Sequence, residues 1–571
     1  MKRLFRLGMV LAVIVLLVWQ LPAYSQQPPP ADTAVAEQQR FQDNVRRDKE
    51  ALGGQTPGPA DIRKLTGASS EITSDVKFAL QQIRFTGNTL IPSDDLKFVT
   101  DKYVGREVSL RELDVMVSAI KLFFRRKGYI SMYAVIPPQK LKDGVLEVQI
   151  VEGTLGELSI TGNKYFSEKI IARQVGLTSG SVITESALSG GLYILNEHPD
   201  IEARSVLRPG IAQGTTDVEI QVQDRSPFHL MTGMNDLGTR NTGRERYSLA
   251  ALHSNVTGHL DELSGRVQVG TGALGLGTDY SIPVGAKGVR AGFSTTYSTA
   301  KVGGQFKSLN LKGRAATYSP YLTMPLMVKP NWSVTGRTEL DWKVNKNYSM
   351  GTRSGEDQLR ILHLGLLNQG KDHYGRTYLP VDVEFGLPVW GASDNNDEQA
   401  TRSNTGSEFT VMHLGLARYN KFLFGSILSV RSNLQLTDDT LPSSERMPLG
   451  GAFSVRGYSE GAFMADYGAT FATEVLIPLT ILPDQWMMPF TKDALQKRIQ
   501  FELFLDTGAG RNRSWAVGEA RSQVLSGAGV GLRVGLFKNT YGKVEWAQRL
   551  GDKIGDGGNT EIYYSIGMDL F

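Results

Sequence analysis

Residues 527 to 536 read Gly-Ala-Gly-Val-Gly-Leu-Arg-Val-Gly-Leu, a pattern with a period of two. Every second residue is apolar, and the residues between them are glycine except for one cation, Arg533. Because side chains alternate between the two faces of a β-strand, one face of this segment is wholly apolar and the other is small or charged. That division is typical of a strand with lipid outside and a polar lumen inside, although soluble barrels and sandwiches also alternate.

The same alternation continues through the C-terminal region, residues 227–571, between turns rich in Gly, Asn, Asp and Thr. Phe228 to Phe571 comprises 344 residues (571 − 227), which over 16 strands is about 21 residues per strand with its share of loops. A tilted membrane strand needs about 9 to 11 residues. We therefore predict a membrane all-β barrel of about 16 antiparallel strands, while counts of about 14 or 18 also fit this length.

The composition excludes several other classes of protein. The 571 residues include 62 glycines and no cysteine, and 41% are apolar while 21% are charged. A mostly disordered chain is therefore excluded, as are a disulfide framework, a thiolate metal site and a cysteine nucleophile. The glycine excess is expected in barrel turns, at lumen-facing strand positions and where an inserted loop approaches the strand wall closely.

Residues 1–25 have the pattern of a secretory signal peptide. Three basic residues precede an apolar run from Met9 to Trp19, and small residues at positions 23 and 25 fit cleavage before Gln26. A membrane anchor is the alternative, but it needs about 20 apolar residues. Cleavage removes three positive charges, so the net charge falls from +4 to +1 (4 − 3) and no nucleic-acid partner is expected. The rest of the chain has no apolar stretch long enough to cross a bilayer as a helix.

Residues 26–75 are predicted to form an N-terminal helix and a linker. A Pro-rich leader is followed by a helical pattern over residues 32–52, with Asp32 as its N-cap. The apolar residues of this helix form only a thin thread, so it cannot bury a wide face.

An internal repeat follows the linker. Residues 82–88, Gln-Ile-Arg-Phe-Thr-Gly-Asn, match residues 157–163, Glu-Leu-Ser-Ile-Thr-Gly-Asn, at an offset of 75 positions. Each copy predicts a short strand closed by a Gly-Asn turn, and Ser109 with Glu112 forms a capping box for a later helix. The order strand, helix, helix, strand, strand predicts two α+β domains, at 76–153 and 154–226.

Two motifs combine with this repeat to carry a family resemblance. A V-R-G-Y tetrapeptide lies in a glycine-rich connection, and an F-x-D-x-G pattern follows downstream. Their residues are Val455, Arg456, Gly457, Tyr458, Phe504, Asp506 and Gly508. The whole mature chain resembles the Omp85 superfamily, and more closely the TpsB transporters of two-partner secretion, with two POTRA-like domains before the barrel. The domain count favours TpsB proteins, since the assembly factor BamA typically has five such repeats and TamA three.

The residues also give a physical reason to pair Arg456 with Asp506. Asp506 shares a strand face with Glu502, so it faces the lumen if Leu503 and Leu505 face lipid. A loop folded into that lumen can present Arg456, and a guanidinium forms a bidentate pair with a carboxylate. The resemblance implies this pairing, as a lock between the two motifs with Arg456 on the sixth extracellular loop. The alternative is a solvated loop arginine and an aspartate that only forms a turn.

The resemblance implies a protein-translocation pore in the outer membrane of a Gram-negative bacterium, with the POTRA-like domains in the periplasm. These domains are expected to recognise an unfolded, secreted TpsA-like partner, expected to be β-helical, which the barrel exports without nucleotide hydrolysis. Residues 32–52 are then a candidate plug of the pore, and a frayed leader is the alternative.

Outer-membrane lipids and the barrel assembly machinery that inserts the chain are the other expected partners, and no cofactor is expected. An Omp85-type factor that inserts other barrels is the alternative function. A passive solute porin is disfavoured because it has no use for two receptor domains.

Signals of enzymatic activity are weak. Residues 270–275, Gly-Thr-Gly-Ala-Leu-Gly, match the dinucleotide-binding pattern G-x-G-x-x-G, but no helical segment follows them. The chain has no H-E-x-x-H motif, and its seven histidines are scattered. We expect no enzymatic activity and assign no catalytic or metal-binding residue.

Overall fold

The computed structural model describes residues 77 to 570, apart from a few short stretches. These exceptions are residues 197, 286–287, 330, 396, 481, 484, 489–492, 517, 538 and 555–556. The predicted signal peptide and the predicted N-terminal helix and linker lie outside the described residues, so they stay predictions. None of the described helices is long and apolar enough to cross a membrane.

The first α+β unit spans residues 77 to 152. Its elements are β1 (Lys77–Leu80), β2 (Gln82–Thr86), α1 (Lys97–Thr100), β3 (Arg106–Ser109), α2 (Leu110–Arg126), β4 (Met132–Val135) and β5 (Val145–Glu152), with 3-10 turns at Ser93–Leu96 and Asp101–Tyr103. The main sheet has the order β2-β5-β4, with β2 parallel and β4 antiparallel to β5. Strands β1 and β3 form a separate antiparallel pair, and α2 packs on β4.

Helix α2 begins at the predicted capping box. The Ser109 hydroxyl accepts a hydrogen bond from the Glu112 amide at 3.3 Å, and Glu112 Oε2 accepts one from the Ser109 amide at 2.8 Å. The reciprocal pair satisfies two of the free amides that every helix N-terminus leaves. Four apolar side chains along one face are buried, namely Leu113, Met116, Ile120 and Phe124. The predicted capping box is confirmed.

The second α+β unit spans residues 154 to 224 and repeats this plan. Its elements are β6 (Thr154–Thr161), α3 (Glu168–Val175), α4 (Glu185–Asn196), β7 (Ile201–Pro209) and β8 (Thr215–Asp224). The sheet order is β6-β8-β7, again with the first strand parallel to the last and the other antiparallel. The strand and helix order predicted for the repeat is therefore present in both units.

The Gly-Asn turns that mark the repeat are built alike. Gly87 and Gly162 have φ values of +78° and +88°, and a Cβ on either would overlap a carbonyl oxygen of the neighbouring strand. In each unit one carboxylate at the end of the last strand, Glu152 or Asp224, accepts hydrogen bonds from the amides after the turn. These are the amides of Thr89 and Leu90 in the first unit and of Lys164, Tyr165 and Phe166 in the second. Only glycine fits such a turn, which explains the sequence signature.

The barrel follows the second unit. Its region contains β9 (Phe228–Asn235), β10 (Arg246–His253), β11 (Glu262–Gly270), β12 (Ala273–Pro283), β13 (Arg290–Lys301), β14 (Lys312–Lys329), β15 (Trp332–Ser349), β16 (Thr352–Lys371), β17 (Gly375–Gly386), β18 (Phe409–Lys421), β19 (Ile427–Leu436), β20 (Met447–Leu449), β21 (Phe463–Ala465), β22 (Tyr467–Pro478), β23 (Ile499–Arg511), β24 (Ser522–Phe537), β25 (Thr540–Arg549) and β26 (Thr560–Asp569). All but β20 and β21 form one closed barrel of 16 strands, in which β26 pairs with β9. The predicted antiparallel barrel of about 16 strands is confirmed.

The two faces of strand β23 differ as its sequence pattern predicts. Leu503 and Leu505 are 43% and 52% exposed on the outer surface, whereas Phe504 and Asp506 are 5% and 1% exposed. The outer face is thus apolar, and the charged side chains of this strand point into the barrel.

A buried polar contact joins the second α+β unit to the base of the barrel. Asp200 lies 2.8 Å from the His229 imidazole and accepts a hydrogen bond from the Ser254 hydroxyl at 2.5 Å. His198 Nε2 lies 2.8 Å from the carbonyl oxygen of Ser254, and its Nδ1 accepts the Asp200 amide. Burial lowers the pKa of His198, which favours the neutral ring. A neutral imidazole has one donor nitrogen and one acceptor nitrogen, as the carbonyl oxygen at Nε2 and the amide at Nδ1 require.

Candidate functional site

The connection between β19 and β22, residues 437 to 466, is here named loop 6. The chain enters the barrel from the α+β units at β9, and successive connections alternate between the two ends. Loop 6 is the sixth connection at the end remote from those units. Its strands β20 and β21 form a hairpin, and the segment between them reaches into the lumen.

Arg456 lies near the middle of loop 6 and pairs with Asp506 on strand β23. Its Nε donates to Asp506 Oδ2 at 2.6 Å and its Nη2 donates to Oδ1 at 2.8 Å, so the pair is bidentate. The backbone amide of Arg456 also donates to Oδ2 at 3.1 Å. The two side chains are 2% and 1% exposed, so water screens this pair very little.

Three further carboxylates and one aromatic ring surround the same guanidinium. Nη1 of Arg456 donates to Glu502 at 3.0 Å and to Glu545 at 2.5 Å, and Nη2 lies 2.9 Å from Glu474. The guanidinium carbon lies 3.5 Å from the centre of the Phe504 ring, a cation-π contact. Arg456 is therefore held by groups from three strands, β22, β23 and β25.

Cations of the barrel wall share these glutamates. Arg431 pairs with Glu474, Arg533 with Glu502 at 2.7 Å, and Lys543 with Glu545 at 2.8 Å. With Arg456, the cluster contains four cations and four carboxylates, so its charges balance. Asp506 differs from the glutamates because, among the described residues, Arg456 is the only cation that forms an ion pair with it.

The other residues of the V-R-G-Y motif shape the loop around Arg456. Val455 and the Tyr458 ring are buried in an apolar cluster against the barrel wall. Gly457 has a φ of +95° and its amide donates to the Tyr563 hydroxyl at 3.2 Å. The same hydroxyl donates to the carbonyl oxygen of Tyr458 at 3.0 Å, so one wall tyrosine holds two consecutive loop residues.

Glycines of the wall let the loop approach the strands closely. A Cβ on Gly527 would overlap the carbonyl oxygen of Arg456. A Cβ on Gly508 would lie 2.9 Å from a methyl group of Val455. Gly527 of β24 and Gly508, the final glycine of F-x-D-x-G, therefore lie where loop 6 packs closely on the wall, as expected from the glycine excess.

Loop 6 fills part of the lumen and leaves a cavity of about 980 Å³ beside it. The cavity is lined by loop 6, by β17 to β19 and by β22 to β26, and both Arg456 and Asp506 border it. The paired charges thus lie between a folded loop and an open, polar space inside the barrel.

Sequence reasoning missed most of the partners of Arg456. Glu545 lies between Val544 and Trp546, which are 53% and 44% exposed on the outer face, so strand parity alone already places it in the lumen. The same parity argument was applied only to Asp506 and its neighbour Glu502. Strand parity predicts whether a side chain points into the lumen or outwards. The height of the residue along the barrel depends instead on the register between strands.

A G-x-S-x-G pattern within loop 6 also escaped the sequence reasoning. Residues 457–461 read Gly-Tyr-Ser-Glu-Gly. The nucleophile of a hydrolase with this motif lies on a sharp turn from a strand into a helix. Residues 457–461 lie in turns with no strand directly before them and no helix after them, so the pattern lacks that setting.

Comparison with known proteins identifies the family. A family model described as "Haemolysin secretion/activation protein ShlB/FhaC/HecB" matches residues 214–534, more than half of the chain. The chain belongs to this family. A model for the POTRA domain, ShlB-type, matches residues 78–153, which cover nearly all of the first α+β unit.

Several curated relatives of this haemolysin secretion/activation family member are transporters. The heme/hemopexin transporter protein HuxB of Haemophilus influenzae is 25% identical over 513 residues, covering 87% of this chain and 88% of the relative. The outer membrane transporter CdiB of Dickeya dadantii is 24% identical over 411 residues, covering 70% and 72% of the two chains.

Solved structures show the same fold. CdiB from Escherichia coli superposes with a TM-score of 0.75 at 19% identity, covering 95% of this chain and all of that one. BamA from Haemophilus ducreyi, lacking POTRA domains 1-3, has a TM-score of 0.52 at 15% identity, covering 86% of this chain and all of that one. At these identities the likeness concerns the fold alone.

The family and the fold together confirm the predicted class of function. The chain is an outer-membrane β-barrel transporter of the TpsB type, with its POTRA domains in the periplasm. Transporters of this type secrete partner exoproteins, and nothing in the comparisons favours the assembly-factor alternative.

Proposed function

We propose that this transporter exports one secreted partner in unfolded form, and that Arg456 and Asp506 lock loop 6 in the lumen. The observation that carries this proposal is the placement of Arg456, which is buried against four carboxylates of the wall and borders the luminal cavity. Loop 6 is held by these ion pairs and by the apolar cluster that includes Val455 and Tyr458, and we propose that it leaves this position when the partner passes. No nucleotide is needed, because folding of the partner outside the cell makes its return unfavourable.

The first α+β unit is the proposed receptor for the partner. Among the described strands, β2 pairs only with β5, so its other edge is open to an added strand. The same unit exposes large apolar side chains, with Phe98 at 68%, Val115 at 57% and Leu122 at 55%. An open strand edge suits an extended peptide, whose backbone supplies affinity, and exposed apolar side chains on the same unit can add specificity.

The partner is proposed to be a TpsA-like exoprotein with a β-helical fold. Curated relatives are named as a heme/hemopexin transporter and as CdiB transporters, and these names describe the relatives, not this chain. We propose further that the barrel assembly machinery inserts the chain and that outer-membrane lipids contact its apolar outer face, as expected from the exposed Leu503 and Leu505. Enzymatic activity, a cofactor and a nucleic-acid partner form no part of this proposal.

An export assay tests this function directly. The full chain is co-expressed with candidate exoproteins encoded by neighbouring genes, and each exoprotein in the medium is measured by immunoblot. We expect export with the wild-type chain and none when residues 78–153 are deleted, while the barrel stays in the outer membrane. The levels of other outer-membrane proteins provide the control. A general fall of those proteins without the chain, with export of the exoprotein unchanged, would favour the assembly-factor function instead.

A further inference from the structure

A second polar cluster lies on the barrel wall, away from Arg456. It contains two histidines and three carboxylates from four adjacent strands. These residues are Asp341 on β15, His363 on β16, Asp382 and Glu384 on β17, and His413 on β18. Leu364, next to His363, is exposed on the outer face, so the histidine points into the barrel. Asp382, Glu384 and His413 border the luminal cavity, which makes the cluster accessible from solution.

The donor atoms of this cluster converge. His363 Nδ1 lies 3.3 Å from Asp382 Oδ1 and 3.6 Å from Glu384 Oε1. Single ligand atoms of these three residues all lie within 4.8 Å of one another. His413 Nε2 lies 3.0 Å from the same Glu384 oxygen, so a second imidazole borders the same point.

The two distances from His363 Nδ1 match the edges of a metal tetrahedron. The shorter one is also a long hydrogen bond to Asp382, and the 3.0 Å distance between His413 and Glu384 is of hydrogen-bond length. Zinc binds nitrogen and oxygen ligands at about 2.0 to 2.2 Å, so the ligands of a tetrahedral site lie about 3.3 to 3.6 Å apart. The two distances from His363 Nδ1, 3.3 and 3.6 Å, lie close to that range. Both exceed the usual length of an N–H···O hydrogen bond, about 2.7 to 3.2 Å.

The remaining contacts suit an outer shell around such a site. Asp341 Oδ2 lies 3.4 Å from Nε2 of His363, and its Oδ1 accepts a hydrogen bond from the Ser319 hydroxyl at 2.5 Å. A carboxylate on the far nitrogen of an imidazole fixes its tautomer and leaves the near nitrogen free to bind metal. Asp341 therefore holds the position of a second-sphere partner of His363.

Charge and unmet hydrogen bonding also favour a cation. Asp341, Asp382 and Glu384 form no ion pair with a lysine or arginine of the described chain. The Nε2 atoms of His363 and His413 are buried and make no well-aligned hydrogen bond with any described residue. The cluster around Arg456 is electrically balanced, whereas here three carboxylates meet two histidines and the nearby Lys343 pairs with Glu445. The Nε2 atom of His413, a candidate ligand, has no well-aligned hydrogen-bond partner among the described residues.

We propose that this cluster binds a divalent transition-metal ion, with Zn²⁺ the best match to two nitrogen and two oxygen ligands. The ligands are His363 Nδ1, Asp382, Glu384 and His413 Nε2, and Asp341 is a positioning residue. The ion would join β16, β17 and β18 across the wall of the luminal cavity. This site departs from the sequence-based expectation of no metal ligands, and it does not depend on the proposed export function.

Metal analysis of the intact chain tests the proposal. The untagged, full-length protein in detergent is stripped with a chelator, loaded with ZnCl₂, desalted and measured by elemental mass spectrometry. We expect one zinc per chain in the wild type and none in His363→Gln or Glu384→Gln. His373→Gln, in the turn after β16, is the matched control and should retain the metal. Co²⁺ in place of Zn²⁺ should show the strong visible absorption of a tetrahedral site.

Two further variants keep the test decisive. Asp341→Asn should weaken zinc binding by about 10- to 100-fold without abolishing it, as for other outer-sphere carboxylates. Asp382→Asn preserves side-chain volume and should lose the metal. A folded barrel shows a heat-dependent shift on a gel, and Asp382→Asn takes the place of any variant that fails to show it. A wild-type chain without zinc after desalting, or a folded His363→Gln variant that retains it, would overturn the proposal.

Discussion

Replacement of Arg456 by alanine gives the most direct test of the lock in loop 6. Without the guanidinium, the glutamates of the cluster keep their pairs with cations of the wall. Asp506, which is 1% exposed in the intact chain, keeps no ion pair with any described residue. The main loss of stabilising contacts therefore falls on one buried carboxylate, that of Asp506.

The size of this loss follows from the burial of the pair. Removal of one partner of a buried ion pair costs about 3 to 5 kcal/mol, because the other charge stays out of water. Since about 1.4 kcal/mol corresponds to a factor of ten, the equilibrium between docked and released loop shifts by roughly a hundredfold to a few thousandfold. Strand pairing in the barrel does not involve Arg456, so the barrel should remain inserted while export is abolished.

Two measurements follow this change in whole cells. Export of the partner is measured by immunoblot, and exposure of loop 6 is measured by chymotrypsin cleavage near Phe453 and Tyr458. Asp438→Ala is the matched control, because Asp438 lies in the same loop with a side chain 98% exposed, and surface pairs such as its contact with Arg513 contribute about 0 to 1 kcal/mol. The double variant Arg456→Ala/Asp506→Ala should be no worse than Arg456→Ala alone. Normal export by Arg456→Ala, with loop 6 still protected, would refute the lock.

Two other changes probe the same lumen. Gly527→Val should release loop 6 as strongly as Arg456→Ala, because the new Cβ overlaps the carbonyl oxygen of Arg456. Gly265→Val is the control. A Cβ at position 265 meets no atom within 4 Å, so chymotrypsin cleavage of loop 6 should stay unchanged. Deletion of residues 31–52, the predicted helix, should raise single-channel conductance in planar bilayers, and an unchanged conductance would count against a plug.

The fold was largely predictable because its signals are local in the sequence. Alternation around Leu503 and Leu505 predicts an outward apolar face from neighbouring residues alone. The Gly-Asn turns at Gly87 and Gly162 mark both α+β units because only glycine accepts that backbone conformation against a neighbouring strand. Barrel closure then follows from the length of the strand-rich region.

The candidate sites were only partly predictable because they depend on register between distant strands. The motifs suggested Arg456 with Asp506, yet Glu474 and Glu545 come from two other strands and carry no motif of their own. Parity places both in the lumen but does not show that they reach the same height as the loop. The same limit applies to His363, whose proposed partners lie 19 to 50 positions along the chain.

The balanced cluster around Arg456 has a consequence for the passage of ions. Loop 6 contributes one of its four cations, so the wall without the loop has three cations and four carboxylates, a net charge of −1. Withdrawal of the loop therefore leaves one excess carboxylate at this place on the wall, and a local negative charge attracts cations.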